Sequence, residues 1–263
     1  MSHLKRFYFD GQPGCDPTNK GQPSGDPTNK GQPQADKIIL DPAQSHHLKD
    51  VLRLKQGSDI EVFNSRGDLF LARVSAVGKD RVVLDILETR LGQTPQLHIT
   101  VASAIPKGSR MDWLVEKAAE LGASEFIPII TRRSVIRDAD RKLHRWQNIA
   151  VAAAKQTGQN TLLHISPPVA FSRIISQASS YDLVLIAVPS APEGSLEEMM
   201  EKSGNPRRIL YLIGPEGDFT DDEVEQAVRA GFKSVRLPVA SILRVETAAI
   251  ALLAMIFYAV KKT

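Results

Sequence analysis

The sequence predicts an α/β fold with a mainly parallel sheet over residues 93–263, preceded by a small β-barrel over residues 1–92. Three observations support this. After Gly92-Gln-Thr-Pro95, strand-like and helix-like segments alternate, as in α/β domains. Before Glu88, short β-rich runs are separated by turn-forming residues, which is typical of a small barrel. The continuous apolar run Arg208–Ile213 indicates a strand that is buried on both faces, as in parallel sheets.

The first domain contains β-rich runs separated by glycine-containing turns, with one helix around Ala43–Leu54. The predicted strands are Lys37–Leu40, Asp59–Asn64, Leu69–Val77 and Arg81–Leu87. His46 and His47 are tempting metal ligands. Adjacent histidines do not share a helix face, however, and no companion ligand follows at a metal-binding spacing, so we predict no metal site.

The second domain alternates strands with helices whose apolar residues recur at helical spacing. Thr220-Asp-Asp-Glu223 is a capping box that begins one of these helices. The predicted strands are Leu97–Ala104, Glu125–Ile130, Asp182–Val188, Ile209–Ile213 and Ser234–Leu237. The predicted helices are 109–121, 140–157, 170–178, 195–202, 220–230 and 245–260.

Two segments lie where an apolar pattern ends and a helix begins: Leu212-Ile-Gly-Pro-Glu-Gly-Asp-Phe-Thr220 and Ile242-Leu-Arg-Val-Glu-Thr-Ala-Ala249. In open α/β sheets, ligands bind at the carboxyl ends of the strands. The two glycines around Pro215 suit a backbone that approaches a ligand closely. The alternative is a tight β-to-α turn in which the glycines serve geometry alone.

Composition and charge limit the classes of function. The 263 residues are 42% hydrophobic and carry a net charge of +3, as in a globular protein with a mildly basic surface. The single cysteine, Cys15, excludes an intrachain disulfide. No signal peptide opens the sequence, and the fourteen-residue apolar run Thr247–Val260 is too short to span a bilayer, so we expect a cytoplasmic protein. This run predicts a buried helix or a subunit interface.

A basic segment begins at Arg132. It contains six basic residues against two acidic ones, namely Arg132, Arg133, Arg137, Arg141, Lys142 and Arg145 against Asp138 and Asp140. Such a segment can follow a phosphate backbone, or it can be the solvated start of a helix.

Residues 11–35 form a tandem repeat with a ten-residue period, in which Gly11–Lys20 is followed by the similar Gly21–Lys30. The repeat is rich in proline, glycine and polar residues and offers almost nothing to a hydrophobic core. We interpret it as a disordered insertion after the first strand. Removal of residues 12–33 is expected to leave the fold nearly unchanged.

Several segments, taken in order, resemble the RsmE family of SPOUT-class methyltransferases. The resemblance covers nearly the whole chain. Besides the two loop segments, it rests on Lys5–Phe9, Ser45–Leu54, Pro106–Asp112, Glu116–Gly122 and Arg132–Ser134. It implies a PUA-like RNA-binding β-barrel followed by a SPOUT-type α/β domain with a trefoil knot, which the alternation of elements alone does not predict.

The resemblance also implies an activity, a cofactor and partners. The activity is methylation of N3 of a uridine in 16S ribosomal RNA of the small ribosomal subunit, with S-adenosylmethionine as the methyl donor. The chain is expected to form a homodimer around its last helix, because the apolar run there needs cover. Nicotinamide and P-loop fingerprints are missing from the sequence, which leaves S-adenosylmethionine as the only cofactor implied.

The implied cofactor residues lie at three strand exits and would contact the ligand mainly through the main chain. They are Ala187, Val188, Ile213, Gly214, Pro215, Glu216, Gly217, Leu237, Pro238, Val239, Ile242, Leu243 and Thr247.

Arg244 is the candidate cation that stabilises negative charge developing on the uracil. Glu246 could orient Arg244, cap the last helix or relay a proton. The alternative is that Arg244 and Glu246 form a salt bridge that fixes the turn. The candidate RNA contacts are Arg6, Arg53, Lys107, Arg110, Arg132 and Arg133.

The chain departs from the family pattern at several positions. The family usually has a second glycine where Asp218 stands, Leu-Gly-x-Arg where Pro238-Val-Ala-Ser241 stands, and arginines where Gln159 and Thr161 stand. These departures leave two other functions open. One is a non-catalytic RNA-binding protein of the same fold, and the other is a SPOUT methyltransferase with another RNA target.

Overall fold

A computed structural model describes residues 4–11, 13, 37–92, 96–135, 142–191, 196–239 and 241–262. The chain divides into two compact units. The first is Met1–Thr94 with Lys155–Leu162, and the second is Pro95–Ala154 with Leu163–Thr263. Nearly all of the tandem repeat lies outside the described residues, as do Arg137 and Arg141 of the basic segment. None of the described helices is long and apolar enough to cross a membrane.

The first unit is built on one mixed sheet with the strand order β1-β3-β4-β5-β2. Its strands are β1 (Arg6–Tyr8), β2 (Lys37–Ile39), β3 (Asp59–Phe63), β4 (Leu69–Val77) and β5 (Val82–Arg90). β1 pairs with β3 in parallel, and the other pairs are antiparallel. The register between β4 and β5 shifts twice, and such bulges curl a sheet. β1 and β2 are the two edges of this sheet and do not pair with each other, so the sheet does not close. It is therefore a curled half-barrel.

The predicted helix over 43–54 is shorter and less regular than expected. Helix α1 spans Pro42–His46 and continues as a π-helical turn, His47–Val51. The side chain of Asp41 caps its start by accepting from the amide of Gln44 at 2.7 Å. The prediction is wrong after Val51, because Arg53 adopts a left-handed backbone with φ 53°.

Residues 155–162 belong to the first unit. The prediction ended this unit at residue 92 and did not assign the later segment to it. Lys155 Nζ donates to Gln44 Oε1 at 2.7 Å and lies 5.3 Å from the centre of the Phe7 ring. Arg6 Nη2 donates to Asn160 Oδ1 at 2.6 Å. These contacts fasten the segment to the sheet of the first unit.

The second unit contains a parallel sheet in the order β12-β10-β11-β6-β7-β8, with β9 also paired to β7. Its strands are β6 (His98–Ala104), β7 (Glu125–Ile130), β8 (His164–Ile165), β9 (Val169–Ala170), β10 (Leu183–Ala187), β11 (Arg208–Ile213) and β12 (Lys233–Val235). Its helices are α2 (Arg110–Leu121), α4 (Phe171–Ile175), α5 (Leu196–Lys202), α6 (Asp221–Arg229), α7 (Val245–Lys262) and α3 (Leu143–Thr157), whose last three residues belong to the first unit. The α/β class with a parallel sheet is therefore confirmed.

Differences from the predicted elements of this unit are local. The helix predicted over 170–178 is α4 followed by a separate 3-10 turn, Ala178–Ser180. β12 ends two residues earlier than predicted, at Val235. β8 and β9 were not predicted, because two-residue strands carry no recognisable period.

The last helix, α7, packs one face against its own chain. The buried residues recur at helical spacing and are Val245, Ala249, Leu252, Leu253, Ile256 and Ala259. The hydroxyl of Tyr211 on β11 donates to the carbonyl of Ala249 at 2.9 Å, and both atoms are buried. This bond fixes α7 against the sheet, and the start of α7 is thereby held near the ends of the strands.

Candidate functional site

A cavity of about 370 Å³ lies in the second unit where β10, β11 and β12 end and α7 begins. Its volume is within the range of small-molecule sites, which in parallel sheets occur at this edge. The cavity is lined by Ala187, Val188, Pro189, Ile213, Gly214, Pro215, Glu216, Asp218, Val235, Arg236, Leu237, Val239, Ser241, Ile242, Leu243, Arg244, Val245 and Ala248.

Most of the predicted cofactor residues line this one cavity. Gly217, Pro238 and Thr247 are not among the lining residues, and neither is the predicted catalytic Glu246. Sequence reasoning missed the lining residues Pro189, Asp218, Val235, Arg236, Ser241, Val245 and Ala248. Each of them lies within two residues of a predicted residue, at the end of a strand, in a loop or at the start of α7, so extending each predicted segment by two residues would have found them.

The loop after β11 is compact because its own residues pack against Gly214. A Cβ on Gly214 would lie 3.1 Å from the amide nitrogen of Phe219 and 3.2 Å from Asp218 Oδ1, which is tighter than usual contact. The amide of Asp218 donates to the carbonyl of Pro215 at 2.8 Å and closes the turn. A side chain at 214 would thus have to push Asp218 and Phe219 aside, whether or not a ligand approaches.

Asp218 occupies a strained position in this loop. Its backbone is left-handed, with φ 61°, a conformation that glycine adopts most easily. Its carboxylate accepts from the amide of Phe219 at 2.8 Å. Burial raises the pKa of the Asp218 carboxyl, while the hydrogen bond from Phe219 and the charge of Arg133 act in the opposite direction.

The turn after β7 holds the loop after β11 in place by hydrogen bonds. Arg133 Nη1 donates to the carbonyl of Gly217 at 2.7 Å and to that of Phe219 at 3.2 Å. The buried Glu223 accepts from the amide of Arg132 at 2.8 Å while it also completes the capping box with Thr220. Arg133, predicted as an RNA contact, therefore has a structural role at the cavity.

Two further predicted RNA contacts lie beside the cavity wall. Glu216 Oε1 accepts from the amide of Lys107 at 3.1 Å and lies 3.5 Å from Arg110 Nη2. Arg110 Nη1 also lies 3.8 Å from Glu246 Oε2. Arg110 thus bridges two carboxylates, one on the loop after β11 and one at the start of α7.

Glu246 is the more unusual of these carboxylates. Its side chain is only 9% exposed, and its Oε2 has no hydrogen-bond partner among the described residues. Its ion pair is with Arg110, and not with Arg244 as in the alternative considered from the sequence. Arg244 itself is exposed and lines the cavity, and its carbonyl accepts from the amide of Ala248 in the first turn of α7.

The other candidate RNA contacts differ in accessibility. Arg6 lies in the first unit with its side chain 10% exposed, beside Glu61 at 3.2 Å and over the Phe63 ring at 5.0 Å. Burial lowers the pKa of Arg6, and Glu61 raises it. This guanidinium is used to hold the first unit together, which leaves little of it for a phosphate. Arg53, also in the first unit, is exposed.

Histidines in the described part of the chain do not form a metal centre. His46 Nδ1 lies 2.7 Å from Asp50 Oδ2 within one helical segment. No group of three or more His, Cys, Asp or Glu side chains among the described residues is arranged to hold a metal ion.

Comparison with protein families gives two matches. Residues 93–257 match the model described as an RNA methyltransferase domain, and residues 40–87 match the model of an RNA methyltransferase PUA domain. The first match covers the cavity and every strand of its sheet.

Comparison with individual proteins also finds RNA methyltransferases. The chain is 32% identical over 220 residues to the ribosomal RNA small subunit methyltransferase E of Synechocystis sp., covering 83% of this chain and 72% of the relative. It is 30% identical to the protein of the same name from Bacillus subtilis, covering 81% and 86%. A crystal structure of the Neisseria gonorrhoeae enzyme of that name, bound to S-adenosyl methionine, superposes with a TM-score of 0.79 at 30% identity, covering 97% of this chain and 98% of the other. A Legionella pneumophila methyltransferase with bound cofactor gives 0.78 at 29% identity, covering 98% of both chains.

Proposed function

Because this chain belongs to the ribosomal RNA small subunit methyltransferase E family, we propose that it methylates N3 of a uridine in 16S ribosomal RNA with S-adenosylmethionine. The observation that carries the proposal is the cavity at the strand ends of the second unit. It combines apolar walls with a few polar groups, as cofactor sites do. The reaction would take place in the cytoplasm, where small ribosomal subunits are found.

The residues around the cavity fit this cofactor. Ile213, Leu237 and Leu243 provide apolar surface for an adenine ring, and Gly214 adds a stretch of backbone without a side chain to the same wall. Glu216 provides an acceptor for hydroxyl and amino groups. When bound, the cofactor supplies the methyl group as an electrophilic sulfonium.

The protein's part in the reaction is to align the uracil and to stabilise charge. N3–H of uracil is a weakly acidic imide, so its proton must leave before or during methyl transfer. A cation near the base stabilises the negative charge that develops, and the exposed Arg244 at the cavity is the side chain we assign to this role. Holding the reacting atoms in line lowers the barrier further.

Glu246 is the proposed proton acceptor or relay. Its Oε2 is buried without a hydrogen-bond partner among the described residues, and an unsatisfied carboxylate oxygen of this kind can take a proton. Arg110, 3.8 Å away, would hold it in place and release it when RNA phosphates compete for the guanidinium.

We also propose a homodimer built around α7. Besides the face that packs on its own chain, α7 carries half-buried Ile250, Met255 and Phe257, and Tyr258 is 58% exposed. Trp113 on α2, the helix beside α7, is exposed as well. A second copy would cover these apolar side chains. Sedimentation velocity at micromolar concentration should give a dimer, and a monomer would count against the proposal.

Two measurements test the proposed reaction. Calorimetry should detect S-adenosylmethionine binding to the full chain, and the lack of binding would favour a non-catalytic RNA-binding protein. Mass-spectrometric mapping of 16S ribosomal RNA should find 3-methyluridine in the parent strain and not in a strain that lacks the gene. A missing methyl group at another nucleotide would identify a different RNA target.

A further inference from the structure

Asp218 is an unexpected residue for its position in the cavity wall. For an L residue, the left-handed backbone at φ 61° is strained, and glycine would adopt it without strain. Aspartate is one of the few other residues that tolerate this conformation, so turn geometry alone permits it but does not require it. The carboxylate is what glycine would lack.

The carboxylate is held in a defined place. It rests against Gly214, since Oδ1 lies 3.2 Å from where a Cβ on that residue would be, and it accepts from the amide of Phe219. Asp218 lines the cavity and is half-buried. A fixed negative charge in a partly desolvated cavity interacts with other charges more strongly than it would in water.

Methyl transfer changes the charge in such a cavity. The S–CH₃ bond breaks as the N3–CH₃ bond forms, and the electron pair of the broken bond stays on sulfur. A sulfonium cation thus becomes a neutral thioether, whereas the adenosine and the amino-acid end of the molecule are unchanged. A group that senses the sulfur charge can therefore distinguish the cofactor from its product.

We propose that Asp218 makes the cavity select the sulfonium cofactor over the thioether product, S-adenosylhomocysteine. This inference rests on the proposed function, and it names a specificity-determining residue for the same site. The favourable interaction is lost at the moment of transfer, so the carboxylate also promotes release of the product. Because the sulfonium charge is already reduced in the transition state, Asp218 should lower KM for the cofactor without raising kcat.

The matched variant is Asp218→Asn, since asparagine also tolerates the left-handed backbone and its side-chain oxygen can still accept from Phe219. Calorimetry on the full-length chain would measure S-adenosylmethionine and S-adenosylhomocysteine separately. We expect the variant to lose about tenfold in affinity for the sulfonium, the change expected from about 1.4 kcal/mol, and less than twofold for the thioether. Asp218→Gly, which relaxes the backbone and also lacks the charge, should show the same change in preference even if the asparagine variant folds poorly.

Two results would overturn this assignment alone. Equal losses for both ligands would mean that the carboxylate contacts a part of the molecule that both share. Unchanged affinities for both would reduce Asp218 to a turn residue. If the wild-type chain bound neither ligand, the proposed function would be overturned and this assignment with it.

Discussion

The loop after β11 and the segment before α7 line the same cavity, but they are held in different ways. In the loop, the amide of Asp218 donates to the carbonyl of Pro215, and the amide of Phe219 donates to the carboxylate of Asp218. The side chain of Arg133, which lies after β7, donates to two further carbonyls of the loop. In the segment before α7, most residues from 236 to 244 are exposed, and Ile242 is 88% exposed. One wall is built by the protein alone, whereas the other leaves apolar surface that a bound ligand would cover.

The two walls therefore suit two different tasks, binding the cofactor and receiving the RNA. A preorganised wall lowers the entropic cost of binding, because its groups are ordered before the ligand arrives. An open wall can adjust to a second molecule as large as RNA. We therefore expect changes in the loop after β11 to act mainly on cofactor affinity, and a change of the exposed Arg244 before α7 to act mainly on transfer to RNA.

The largest effect is expected from Gly214→Val, which breaks the preorganised wall. A Cβ there would already lie 3.1 Å from the Phe219 nitrogen, and a branched side chain adds two methyl groups, so the loop must move. S-adenosylmethionine binding should be abolished in calorimetry. Gly217→Ala is the control, because its Cβ would meet only Arg133 carbons at 3.4 and 3.7 Å, and it should bind nearly normally. Wild-type affinity in Gly214→Val would mean that this backbone does not shape the cofactor site.

Arg244→Ala should have the next largest effect and should test the open wall. If its charge acts on the uracil in the transition state, methyl transfer to small ribosomal subunits should fall about 100-fold, a loss typical of a removed electrostatic stabiliser. Cofactor affinity should change less than about threefold by the same reasoning. Arg244→Lys, which keeps the charge, should recover part of the rate. Equal losses in rate and cofactor affinity would make Arg244 part of the cofactor scaffold, and normal activity would remove it from the mechanism.

Arg133→Ala loosens the preorganised wall without changing a residue that lines the cavity. It removes two hydrogen bonds that a charged group donates to the loop after β11, and cofactor affinity should fall about tenfold. The adjacent Arg132→Ala is the matched control. Arg132 is 61% exposed and pairs with the exposed Asp222, while its amide, which Glu223 binds, survives the substitution. Calorimetry should show almost no change for it. A larger loss of cofactor affinity in Arg132→Ala than in Arg133→Ala would mean that the hydrogen bonds of Arg133 to the loop are dispensable.

The location of the cavity could be predicted from the sequence, but the roles of the arginines around it could not. The cavity could be located because strand ends in a parallel sheet meet at one edge, so loops far apart in sequence, such as Ile213–Glu216 and Leu237–Leu243, are brought together by topology. The individual arginines could not be assigned. Arg6 and Arg133 have the same side chain as Arg244, yet they hold the protein's own loops, and only partners distant in sequence reveal this. The trefoil knot likewise stays a prediction, since alternating elements carry no information about threading.

The smallest effect is expected from shortening the tandem repeat. Residues 12–36 connect β1 with β2, which are opposite edges of the first sheet. Removing one copy, residues 21–30, leaves fifteen residues of connection, and halving a flexible loop changes stability by only about 0.6 kcal/mol. Melting temperature and cofactor affinity should therefore be those of the full chain. Lower stability in this variant would show that the repeat packs against the domain.

The longer deletion of residues 12–33 is a stricter test. It leaves Gln34, Ala35 and Asp36 between Gly11 and Lys37, a span of at most roughly 14 Å. Four strand spacings across a flat sheet amount to about 19 Å, and a curled sheet brings β1 and β2 closer together than this. Phe9, Asp10 and Gly11, which follow β1, add further length to the connection. We expect this variant to fold with unchanged cofactor affinity, because the register shifts between β4 and β5 curl the sheet. A clear drop in melting temperature here, with the shorter deletion unaffected, would show that the repeat is needed as a spacer and that its sequence is not.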